Sequence, residues 1–180
     1  MTRLQRDDDV LTLAKAGDKR AQTILLRDMQ DTWYRFALAN VDQTDLAMEA
    51  TQETALRVLQ NMHRFDEQST FKTWSLGIAL NVCRELKRHA ARQKRWARLR
   101  LIGHRHQDNS QTDQLQQEEH ADLLHRYIAT LSDRQREVIT LRYFEHCTTK
   151  QTAQIMNVSQ GTVKATLSQA IAQLRSKWND

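Results

Sequence analysis

Residues Thr148 to Leu174, TTKQTAQIMNVSQGTVKATLSQAIAQL, leave the backbone few options beyond two short helices pinched around Asn157. Thr148-Thr149-Lys150-Gln151 has the form of a capping box, in which the threonine hydroxyl accepts from the backbone and the glutamine reaches back to the cap amide. Ser159 can cap the helix that follows. There Val163, Leu167, Ala170, Leu174 and Trp178 step by four, three, four and four residues, giving one apolar stripe that faces a core. Ala153 is small where two helices must cross, Asn157 tolerates the left-handed conformation of a tight turn, and Val158 can plug the corner. The spacing predicts a helix-turn-helix. Its outer face carries Gln160, Thr162, Lys164, Ala165, Ser168 and Gln169, short and uncharged apart from Lys164, a surface that suits a DNA major groove. Gly161 sits in the first turn, where a glycine costs less. Lacking a side chain, it lets a phosphate approach the helix-terminal amides, the alternative being relief of crowding against the preceding helix.

The rest of the chain is predicted helical as well. It has no proline, only four glycines and little alternation of β-branched residues. Asp7 to Asp18 reads as a short helix with Val10, Leu11, Leu13 and Ala14 inward, stopped at Gly17, with Asp18 capping the next. That second helix runs to about Asn40, with Ile24, Leu25, Met29, Trp33, Phe36 and Ala37 near helical spacing. A third, Asp45 to about His63, offers Leu46, Ala50, Ala55, Leu56 and Leu59 to the core. The polar stretch Arg64 to Thr70 is a loop, after which Trp74, Ile78, Val82 and Leu86 recur every four residues, placing Trp74 in the core. Ser132-Asp133-Arg134-Gln135 repeats the capping box ahead of Val138, Ile139, Leu141 and Tyr143.

Charge divides the chain. The net charge is +5 and the pI about 9.5, with eight basic residues crowded between Arg84 and Arg100 around the single acid Glu85. Asp108 to Asp122 then carries Asp113, Glu118 and Glu119 and no Lys or Arg. The division predicts residues 1–101 as a first domain, 102–120 as a polar flexible linker and 121–180 as a second domain. No apolar run approaches the roughly 20 residues a bilayer needs, and MTRLQRDDDVL has no apolar secretory core, so no membrane insertion is expected. Cys83 and Cys147 are expected as free thiols in a reducing cytoplasm. His104, His106, His120, His146 and Cys147 follow no zinc spacing, and neither a phosphate loop nor a catalytic motif is present, so no metal, cofactor or catalytic residue is expected.

LSDRQREVITLRYFEHCTTKQTAQIMNVSQGTVKATL, Leu131 to Leu167, resembles the promoter-reading domain of bacterial sigma factors and also the DNA-binding domain of LuxR-type activators. AMEATQETALRVL (Ala47 to Leu59) followed by FKTWSLGIALNVCRELKR (Phe71 to Arg88) resembles region two of the extracytoplasmic-function sigma factors. The two motifs together span nearly the whole chain. The resemblance implies an alternative sigma factor of the sigma-70 family, all-α, with a four-helix region-two domain and a region-four helix-turn-helix domain.

The resemblance also implies partners and sites: the β and β′ subunits of core RNA polymerase, promoter DNA, and an anti-sigma factor. Asp45, Glu49, Gln52, Glu53 and Arg57 match the face that docks on polymerase. Arg64 and Asp66, in the loop, and Asn81, Arg84, Lys87 and Arg88, on the adjoining helix, match positions along the minus-ten element. Gln160, Gly161, Thr162, Lys164, Ala165 and Ser168 match the minus-thirty-five reader. Thr166, Gln169 and Ile171 stand where the family commonly has arginine, Ser132 where proline is common and Met48 where an acid is common. Fewer phosphate contacts imply a shallower salt dependence, each removing roughly 0.9 from the log-log slope. The other readings are a LuxR-like activator acting without polymerase, and a nucleic-acid-processing enzyme holding magnesium on Asp42, Asp45 and Glu49.

Overall fold

A computed structural model describes residues 3–101 and 127–178, with side chains over 9–96 and 127–178. The expected linker 102–120 lies outside the described residues. Helix α1, Arg3–Lys15, begins four residues before the expected Asp7 and is followed by a turn at Gly17, whose φ of 95° only a glycine adopts cheaply. Asp18 then caps α2, Lys19–Val41, its carboxylate accepting from the Ala21 amide at 2.8 Å. Asp42 closes α2 in the left-handed conformation, and α3 follows as Thr44–Asn61. A 3₁₀ turn, Met62–Arg64, leads into the polar loop, and α4 runs unbroken over Phe71–Leu101.

These helices close on Trp33, Phe36, Val58, Leu76, Leu80 and Val82, all essentially without solvent contact. The indole Nε1 of Trp33 donates to Ser75 Oγ at 3.1 Å, satisfying the polar atom that a buried tryptophan brings with it. Trp74, expected in the core, packs half-buried against its edge, 5.2 Å from Phe65 and 5.7 Å from Phe71 between ring centroids.

Four apolar residues expected inside lie largely in solvent: Leu13, Ile24, Leu56 and Trp178. The reason is angular. Ile24 precedes Trp33 by nine residues, about half a turn around α2, and Leu56 lies roughly opposite Val58 on α3. In α1 the inward position belongs to Ala14, and Trp178 lies beyond the last packed turn, its ring 6.0 Å from that of Tyr127.

The second domain has α5 (Asp133–Ile139), a π-helical turn (Thr140–Phe144), α6 (Thr149–Met156) and α7 (Gln160–Trp178). Both predicted capping boxes form, Ser132 with Gln135 and Thr148 with Gln151, each hydroxyl and amide paired reciprocally. A small cluster of Leu131, Ile139 and Ala170 holds α5 to α7. The main core, however, does not stop at the domain boundary. Val138, Leu141, Ala153, Ile155, Met156 and Val163 continue the cluster begun by Trp33 and Leu80, so the two domains share one apolar seam.

The thiols of Cys83 and Cys147 are both buried and unpaired with each other. Burial, reinforced by the nearby Glu137 carboxylate, pushes the Cys83 thiol up to about 12. An unfolded thiol ionises near 8.5, so the stability Cys83 contributes is complete below that pH and drains away as pH rises towards about 12. At pH 8, iodoacetamide is expected to modify Cys83 at least tenfold more slowly in the folded chain than in urea, because the thiolate is the nucleophile. Equal rates would contradict its burial.

Candidate nucleic-acid interface and docking face

The orientation of α7 is set by the turn before it. Asn157 takes φ 53° and ψ 54°, the left-handed geometry that asparagine tolerates, and the Val158 amide donates back to the Ala153 carbonyl at 3.0 Å. Ser159 Oγ accepts from the Thr162 amide at 3.0 Å and pairs with the Thr162 hydroxyl at 2.9 Å. Val163 is buried, so α7 turns Gln160, Gly161, Thr162, Lys164, Ala165 and Ser168 outward together, each exposed. A Cβ built on Gly161 would meet only Ser159 Oγ, at an ordinary 3.6 Å. Crowding therefore does not require the glycine, and its lack of a side chain leaves room for an anion to approach the start of the helix. Ile171, one of the positions where arginine is common, packs half-buried against the α5–α7 cluster.

The loop between α3 and α4 is pinned from below by Phe65, 2% exposed and edge-on to Phe71, and by Lys15, whose Nζ reaches Glu67 at 2.6 Å. Arg64 and Asp66 are exposed above it, with Asp66 accepting from the Gln68 amide at 3.2 Å. Along α4, Asn81 and Arg88 are exposed and face the same way, two turns apart. Arg84 and Lys87 are placed differently. Arg84 forks onto Glu137 through Nε at 2.8 Å and Nη2 at 2.7 Å, which holds its guanidinium still more firmly protonated, and Lys87 pairs with Asp133. The structure thus brings four of the six candidate minus-ten positions to open surface and engages two with the second domain. Trp96, at the far end of α4, is 66% exposed.

On α3, Asp45, Glu49 and Gln52 are exposed and Glu53 and Arg57 half-buried. Arg57 bridges Glu53 and Glu85, both at 2.7 Å, tying α3 to α4. Glu85 foremost, then Glu53, raises the affinity of the Arg57 guanidinium for its proton, and Arg57 in turn draws the Glu85 carboxyl below the usual range. Beside this network lies a groove of about 220 Å³ lined by Glu49, Gln52, Leu56, Val82 and Leu86. Met48 and Leu56 stand exposed on the same helix, 47% and 54%. Leu56 continues the series Asp45, Glu49, Gln52 at spacings of four, three and four, a signal that was present in the sequence but masked by its apolar character. Asp42, one of the three acids of the magnesium reading, is instead bound to Arg136 at 2.9 Å.

Comparison with known proteins yields a match to sigma-70 region 2 over residues 25–93 and to sigma-70 region 4 over residues 121–174. ECF RNA polymerase sigma factor SigM of Bacillus subtilis is 30% identical over 148 residues, 81% of this chain and 88% of that protein. RNA polymerase sigma-E factor of Streptomyces coelicolor is 44% identical over 62 residues, a third of each chain. Among solved structures, CnrH in complex with the cytosolic domain of CnrY superposes with a TM-score of 0.71 at 20% identity, covering 96% of this chain and 97% of that one. RpoE bound to the anti-sigma factor NepR, from Bartonella quintana, gives 0.69 at 21% identity, covering 86% and 94%. These two share the fold. Matches in both halves separate this chain from a LuxR-type activator, whose resemblance was confined to the second.

Proposed function

The chain belongs to the ECF RNA polymerase sigma factors, alternative factors that direct polymerase to promoters, and from that premise we propose how its surfaces divide the work. The first domain, 1–101, docks on the β′ subunit through Asp45, Glu49, Gln52, Glu53 and Arg57, with Leu56 as an apolar anchor. Its loop residues Arg64 and Asp66 and the α4 residues Asn81, Arg84, Lys87 and Arg88 follow the minus-ten element, the cations meeting phosphates that set register without reading sequence. The second domain, 121–180, reads the minus-thirty-five element with Gln160, Gly161, Thr162, Lys164, Ala165 and Ser168, while residues 102–120 cross polymerase between the two. Polymerase performs the nucleotidyl transfer, and this chain contributes binding energy. It works in the cytoplasm, where an anti-sigma factor restrains it, as NepR accompanies RpoE.

The observation that carries this reading is that the whole proposed face of α7 is exposed while Val163 and Ala170, on the other side, are buried. The test is transcription reconstituted with bacterial core polymerase on a library of promoter fragments. Lys164→Ala and Arg88→Ala are each expected to weaken promoter complexes about tenfold, as loss of a phosphate contact does, with affinity for core unchanged. Equal loss of core affinity in both variants would overturn the division of labour.

A further inference from the structure

Among the described residues four ion pairs join the domains, and three of them have the same polarity. Lys72 Nζ lies 2.9 Å from Glu145 Oε2 and also donates to the Glu145 carbonyl at 2.9 Å. Arg84 holds Glu137 with two hydrogen bonds, and Lys87 holds Asp133. The fourth, Arg136 on Asp42, runs the other way. Glu137 and Glu145 are buried, 5% and 3% exposed, so each carboxylate depends on the cation of the first domain for its compensation. The seam behind them is apolar, and a cavity of about 260 Å³ lies between the domains, bordered by Asn40, Cys83, Arg84, Lys87, Asp133 and Glu137. A fork of two short hydrogen bonds from a guanidinium is the geometry with which arginine grips a phosphate.

We propose that Asp133 and Glu137 act as internal substitutes for promoter phosphates: in the closed chain they occupy Arg84 and Lys87, so the polymerase-free factor masks part of its own DNA-binding surface. This rests on the reading of Arg84 and Lys87 as phosphate contacts. A phosphate and a carboxylate cannot both take the same fork, so DNA along this stretch of α4 and closure of the domains exclude each other. Opening separates the shared seam and uncovers Val138, Leu141 and Met156, which makes a partner able to cover apolar surface the natural trigger.

The test compares the full chain with Asp133→Asn/Glu137→Gln and with a control of equal charge, Asp28→Asn/Asp31→Asn, whose acids are exposed on α2. Three quantities are read without polymerase: the radius of gyration by small-angle scattering, iodoacetamide modification of Cys83 identified by peptide mass, and affinity for a mixed-sequence 40-base-pair duplex over a salt series. The first double variant is expected to expand, to expose Cys83 at least tenfold faster, and to bind duplex at least tenfold more tightly. Its log-log salt slope steepens by about 1.8, 0.9 for each freed phosphate contact. The control changes none of these beyond its net charge. An unchanged radius and an unreactive Cys83 would overturn the clasp. Expansion with no gain in duplex affinity over the control would overturn the masking. If the gain survives addition of Arg84→Ala and Lys87→Ala, the assignment of those two residues fails, while docking through α3 is unaffected. Should the amide variant lose helicity, Asp133→Lys and its swap partner Asp133→Lys/Lys87→Asp serve instead. The single variant opens the chain and the swap recloses it; failure to reclose contradicts the ion-pair latch.

Discussion

Trp33→Ala is expected to unfold the first domain well below its normal midpoint. The ring is 1% exposed and sits where α2 meets α4, and its loss leaves Ser75 Oγ without the indole N–H. Truncating a buried tryptophan to alanine costs about 3–5 kcal/mol, against a total stability of roughly 5–15 kcal/mol. With about 4–8 °C lost per kcal/mol in a domain of this size, thermal melting followed by circular dichroism should fall by at least 12 °C or so. Trp33→Phe keeps most of the volume and forfeits mainly the hydrogen bond, about 1 kcal/mol. A Trp33→Ala midpoint within a few degrees of the parent would contradict the packing described here. Because Leu80 and Val138 belong to the same cluster, the second domain should lose its seat in the same transition.

Leu56→Asp is expected to do the reverse: leave the fold intact and abolish docking. The side chain is 54% exposed, so its effect on stability should stay within about 0.5 kcal/mol, as for most surface substitutions. An apolar anchor at the centre of an interface contributes about 2 kcal/mol or more, so core affinity should fall at least roughly thirtyfold. Fluorescence anisotropy with labelled factor and core polymerase measures this directly. Unchanged affinity alongside unchanged melting would remove α3 from the polymerase-binding surface.

Leu56 also marks where the sequence is easily misread. Hydrophobic periodicity finds helices, yet it cannot choose between two faces when both carry leucine. On α3 the inner face is built from small residues, Ala47, Ala50, Thr51 and Thr54, with Val58, and the leucine at 56 looked more core-like than any of them. Ile24 misleads in the same way on α2. By contrast, both capping boxes, the Asp18 cap and the left-handed Asn157 were legible, because each is decided by residues within four positions of one another. The exposed face of α7 followed from the same local logic, since Val163 and Ala170 are fixed inward.

The clasp was not legible. Its pairs join residues 46, 53, 73 and 94 positions apart, and no local pattern specifies which cation meets which acid. Sequence placed Arg84 and Lys87 in a basic run and Glu137 among helix-forming residues. Only the fold brings them together. The π-helical turn was equally hidden, for Thr140 to Phe144 contains neither proline nor glycine.

That wide turn, closed by the Glu145 amide on the Thr140 carbonyl at 3.0 Å, sets the angular phase between two anchors. Eight residues separate Glu137 from Glu145, and an uninterrupted α-helix would swing the second about 80° away from the first. Winding more loosely through Thr140–Phe144 absorbs that offset, letting one continuous stretch aim both carboxylates at a single neighbour. Deleting one residue there would act like a slipped gear tooth, rotating everything downstream by about 100° while leaving every charge in the chain present.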